Sequence, residues 1–103
     1  VRTAADLPAT FARMARMGVQ TPLGMGVGPD QKRSTVNVVG VSQSGLGLPD
    51  RDYYLRPEPR MASTRQAYQA YVARLLGLAK QPDAEGAAAR IVALETELAR
   101  RHW

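Results

Sequence analysis

Apolar and polar residues follow two different rhythms along this chain. Leu7, Phe11, Met14 and Gly18 recur at helical spacing, so the pattern predicts a first helix over Thr3–Met17. Thr3 and Asp6 stand at the separation of a capping pair, and Asp6 itself suits a helix N-cap. Pro8 favours the later start, because proline is tolerated only in a first turn. Gly18 supplies the stop. The rhythm then changes to two. Leu23 to Gly28 alternates large residues with glycine, which predicts a strand with its bulk on one face. The glycine face suggests a close neighbour. Pro29 to Ser34 is a polar turn, and Thr35 to Ser42, rich in valine, reads as a second strand. Together they predict a β-hairpin, which is marginal alone and needs helices or another sheet to lie on.

The period of the helix returns in the second half. Gly45-Leu46-Gly47-Leu48-Pro49-Asp50-Arg51-Asp52-Tyr53-Tyr54-Leu55 forms a corner ahead of it. Pro49 suits the first position of a short helix, with Asp50 and Asp52 in its first turn, where negative charge complements the helix dipole. Arg51 is expected to turn to a neighbouring carboxylate or carbonyl. Pro57 and Pro59 interrupt regular structure. A long helix is predicted over Pro59–Ala79, with a stripe of Tyr68, Tyr71, Val72, Leu75, Leu76 and Ala79. Gln81-Pro82-Asp83 breaks it, with Asp83 as the next cap. The last helix runs to about His102 with Ala87, Ala88, Ile91, Leu94, Leu98 and Arg101 on one face. Glu97 and Arg101 form an i, i+4 pair on it. His102 reads as a helix-end residue, and Trp103 as a packing anchor. The fold class is therefore mainly α with a small β-hairpin, ending in an antiparallel helical pair.

Composition narrows the function classes. The net charge of +5 comes from twelve Arg and two Lys, scattered from Arg2 to Arg101, with no basic cluster interleaved with aromatics. That is not the footprint of a nucleic-acid surface. There are no cysteines, hence no disulfide and no thiolate zinc site. No apolar run approaches the roughly 20 residues of a membrane span. Val1-Arg2 is not followed by an apolar leader, so the chain is expected to begin inside something longer.

Candidate chemistry is thin. Gly24, Gly26 and Gly28 invite a phosphate-loop reading, but the dinucleotide fingerprint requires a sixth-position glycine where Pro29 stands. His102 is the lone histidine, and no H-E-x-x-H motif is present. Ser34, Ser42, Ser44 and Ser63 lack a nucleophile-elbow context. Asp50 and Asp52 are too few for a calcium loop and have no acid–base partners. No residue is assigned a catalytic, cofactor-binding or metal-binding role. Gly45, Gly47, Pro49, Tyr53 and Tyr54 are read as structural.

One resemblance is specific. The run Gln43-Ser44-Gly45-Leu46-Gly47-Leu48-Pro49-Asp50-Arg51-Asp52-Tyr53-Tyr54-Leu55 resembles the signature of the M13 family of zinc metallopeptidases, the neprilysin-like and PepO-like enzymes. Pro22 to Asp30 with Ser34-Thr35 is similar to the hairpin that precedes the motif in bacterial members. Leu94-Glu95-Thr96-Glu97-Leu98-Ala99 followed by His102-Trp103 is similar to the helix that follows it. The likeness covers nearly the whole chain. It implies that residues 1–103 are one segment of a helical N-terminal, lid-like domain that encloses a peptide-binding cavity. It also implies that zinc, its H-E-x-x-H ligands and peptide hydrolysis belong to a catalytic domain outside the segment. The segment's partners would then be that catalytic domain and the enzyme's peptide substrates. Its place would be the periplasm or the cell exterior. The competing reading is a stand-alone basic helical module that binds nucleic acid or a protein.

Overall fold

The computed structural model describes residues 1–103, and they divide into two compact units, Val1–Gly45 and Leu46–Trp103. The element order is a 3-10 turn at Ala4–Asp6, α1 (Leu7–Arg16), β1 (Leu23–Pro29), β2 (Asn37–Gln43), α2 (Asp52–Leu55), α3 (Pro59–Leu78) and α4 (Ala84–Arg101). The sequence pattern anticipates this order and class.

In the first unit the predicted helix is divided. Asp6 does not cap α1 with its side chain. Its carboxylate reaches back to accept from the backbone N–H of Arg2 at 2.8 Å and of Thr3 at 3.0 Å. These bonds stabilise the preceding turn, so the α-helix proper starts at Leu7 with Pro8 in its first turn. They also hold the Asp6 carboxyl below the usual carboxylate range, because two backbone donors favour its charged form. Gly18, at φ 75°, ends the helix, and Val19 N–H closes it by donating to Met14 O at 3.0 Å.

β1 and β2 pair antiparallel from Leu23 opposite Gln43 to Pro29 opposite Asn37. The second strand starts two residues later than its valines suggest, because the turn takes up residues through Val36. Asp30 Oδ1 accepts from the N–H groups of Lys32 (2.7 Å) and Arg33 (2.9 Å), while Asp30 N–H donates to Val36 O at 2.8 Å. At the other end, Ser44 N–H donates to Pro22 O at 3.0 Å and the Ser44 hydroxyl donates to Thr21 O. Gly45 sits there at φ 90°, and a Cβ on it would lie 3.0 Å from Pro22 Cα, so only glycine closes the hairpin without strain.

Alternation places Leu23, Met25, Val27, Val39 and Val41 on one face, and each remains at least 61% exposed. The expected close neighbour of the glycine face is absent as well. Positions for a Cβ at Gly26 and Gly28 meet nothing within 4 Å, and only Gly24 is closely approached, by Ser42 Oγ at 2.8 Å. The hairpin is thus held by its ladder and its two ends, not by a core. Thr21 is the one residue of this unit that is buried.

The second unit holds the core. Leu48, Tyr54 and Ala99 are buried together, with Leu46, Tyr53, Leu55 and Tyr68 packed around them, and Ala88 is fully buried on α4. α3 and α4 are joined by five residues, and Tyr68 meets Glu95 about equally far from the connection on each helix, so the pair is an antiparallel hairpin. Asp83 takes a left-handed conformation (φ 52°) and accepts from Gly86 N–H at 3.2 Å as the N-cap of α4.

Both predicted helix faces are right in part. On α3, Tyr68, Val72 and Leu76 turn inward, but Tyr71, Leu75 and Ala79 are exposed. On α4, Ala87, Ala88, Ile91 and Leu98 turn inward as predicted, but Leu94 and Arg101 lie outside and Glu95 and Ala99 join the seam. The physical reason is Glu95, a carboxylate that finds hydroxyl donors only on the inner side. Glu97 pairs with Arg100, at i, i+3. Trp103 is fully exposed and does not anchor anything by burial. Pro49 falls in a bend ahead of α2, which begins only at Asp52, because Asp50 caps the turn: its Oδ1 accepts from Asp52 N–H at 2.8 Å.

Two outcomes follow from this distribution of packing. In hydrogen exchange on the chain of residues 1–103, the slowest amides belong to α3 and α4, while β1 and β2 exchange faster; equal protection in the hairpin would contradict it. Asp83→Ala lowers stability by about 1–2 kcal/mol in urea denaturation, since it loses the cap and strains a left-handed residue, whereas Asp83→Gly costs only a few tenths.

Candidate functional site

From the corner at Gly45–Leu55, one side chain reaches an acidic residue of α4. Tyr54, carried inward by the short helix α2, donates its phenolic proton to Glu95 Oε2 at 2.6 Å. The Tyr54 phenolic oxygen itself accepts from the backbone N–H of Gly47 at 3.1 Å and of Leu48 at 2.9 Å. One donor and two acceptor positions are therefore all in use. Tyr68 comes from α3 and donates to the other carboxylate oxygen, Oε1, at 3.0 Å. Glu95 thus ties the corner, α3 and α4 at one point.

The backbone path of the corner depends on this geometry. A Cβ at Gly47 would lie 2.6 Å from Tyr68 Cζ and closer still to its hydroxyl. Glycine is required here for close approach, not for its dihedral freedom. Arginines close the remaining chain ends. Arg51 donates to the carbonyl of His102, at the end of α4, as a carbonyl-seeking Arg51 should. Arg65 of α3 donates to Tyr53 O at 2.7 Å and Arg56 O at 2.9 Å, where α2 stops. Asp52 and Glu58 both pair with Arg56 (3.4 and 3.3 Å) on the exposed side, where such pairs contribute little.

Electrostatics identify what this cluster can do. Removal from water, then the hydrogen bond to Glu95 and its charge, push the Tyr68 phenol up to about 12. Tyr54 is pushed up more by the same causes, against the lowering effect of the Leu48 N–H. Both phenols are therefore firmly protonated donors at neutral pH. The carboxylate receives both of them, and no buried side-chain polar atom is left without a partner. This is the electrostatics of a latch. No three His, Asp or Glu side chains come together to hold a metal ion. The zinc that the M13 resemblance implies has no ligand set among these residues.

Of the residues singled out from sequence, Gly45, Gly47, Asp50, Arg51 and Tyr54 each have a defined structural contact. Tyr68 stands on the stripe that the helical period predicts, whereas Glu95 and Arg65 are partners that periodicity does not single out. Glu95 had a signal: it lies on the line of small residues Ala88 and Ala99 at helical spacing.

The model of peptidase family M13 matches residues 1–103. Endothelin-converting enzyme 1 of Rattus norvegicus and that of Homo sapiens are each 37% identical over 75 residues, which is 71% of this chain and 10% of theirs. The crystal structure of the Mycobacterium tuberculosis zinc metalloprotease ZMP1 with an inhibitor superposes on all of this chain with a TM-score of 0.83 at 39% identity. Its electron cryomicroscopy structure in an open state gives 0.83 at 40%. The chain spans 16% of each of those two chains.

The latch makes quantitative expectations. Glu95→Ala leaves two phenols without their acceptor and lowers stability by about 2–4 kcal/mol, and Glu95→Gln, which keeps one acceptor oxygen, by less. Gly47→Ala lowers it by about 1–3 kcal/mol, and Tyr68→Phe in the same molecule restores only part, because the ring carbon still blocks the Cβ. Above pH 10 the unfolded chain releases phenolic protons that folded Tyr54 and Tyr68 keep. The unfolded state then binds fewer protons, so stability is unchanged below pH 10 and falls as pH rises toward about 12. Tyrosinate absorbance and circular dichroism against pH read both effects, with two of the four tyrosines ionising together with unfolding.

Proposed function

Since the chain belongs to peptidase family M13, we propose that residues 1–103 serve as a scaffold in the N-terminal helical region of a zinc metalloendopeptidase, shaping and enclosing the cavity in which peptides are held. The observation that carries this reading is the superposition of the entire chain on a zinc metalloprotease at 39% identity. The internal chemistry supports it. The corner motif is consumed by contacts to its own helices, which is what a rigid wall requires. Zinc, when bound, supplies a Lewis acid and an activated water in such enzymes. Its ligands would belong to a domain outside residues 1–103, as would substrate preference. No helix here is long and apolar enough to cross a membrane. The place of action we assign is the periplasm or the cell exterior, and the partners are the catalytic domain of the same polypeptide and peptide substrates. The alternative of a nucleic-acid module finds no support, because the family model and the similar structures are those of peptidases.

The test is made in the full-length enzyme. Chelation with phenanthroline abolishes peptide hydrolysis and added zinc restores it, while residues 1–103 alone neither hydrolyse peptides nor bind zinc stoichiometrically. Stoichiometric zinc on residues 1–103 would overturn the assignment. Asp50→Asn and Tyr54→Phe lower turnover only in proportion to the stability they remove, Tyr54→Phe more. A large loss of turnover at unchanged melting temperature would instead give those residues a direct chemical role.

A further inference from the structure

We draw no further inference here: the strongest candidate, the exposed apolar face of the β1–β2 hairpin formed by Leu23, Met25, Val27, Val39 and Val41, is an unpartnered surface, and nothing in the structure shows what covers it.

Discussion

A single carboxylate, Glu95, held between two phenols governs the architecture of residues 46–103. Burying part of a charged group is costly unless its oxygens are satisfied. Tyr54 and Tyr68 satisfy one oxygen each. That requirement fixes the rotation of α4, since Glu95 must face inward and Leu94 is consequently turned out. It fixes the register of α3, since Tyr68 must stand opposite. It also fixes the corner, since Tyr54 can reach Glu95 only if Gly47 and Leu48 present their N–H groups to the same phenolic oxygen. Small residues complete the arrangement: Ala88 and Ala99, both fully buried, let the surrounding side chains close over the seam.

The N-terminal unit is organised on another principle. Residues 1–45 are held by local hydrogen bonds at defined points: the Asp6 carboxylate at the start, Gly18 after α1, the Asp30 turn, and the Thr21–Ser44 closure of the hairpin. All but the Thr21–Ser44 closure, which spans 23 residues, are specified by nearby residues, and none requires a core. An exposed row of valine, methionine and leucine on a two-stranded sheet is what a piece of a larger assembly looks like, because such a sheet is marginal by itself. This agrees with a chain that spans 16% of the M13-type structures it resembles.

Local signals were legible in the sequence where the structure is local. The strand rhythm of Leu23–Gly28, the glycine stop at 18, the prolines at 57 and 59 and the Asp83 cap each act within a few residues, and pattern reading located all of them. The faces of α3 and α4 were harder to read. Periodicity treats Leu94 as core and Glu95 as surface, since transfer free energy alone ranks them so. The inversion depends on a phenol 41 residues away, which no window on the helix contains. The start of α2 was misplaced for a similar reason: Pro49 suits a helix start, but Asp50 uses its side chain to cap the turn and postpones it. The long corner motif still carried more information than its local physics. It identified the family, although every one of its contacts described here is structural.

The saturation of Tyr54 has a kinetic corollary. Its oxygen has no vacancy for water, because its one donor and two acceptor positions are occupied by protein groups. Solvent cannot loosen the corner by adding to it one bond at a time. Entry of a water molecule displaces a backbone donor or the Glu95 bond, and each loss weakens the others through the shared oxygen. The corner therefore opens as a unit or stays shut, because one phenolic oxygen ties Gly47 and Leu48 to Glu95.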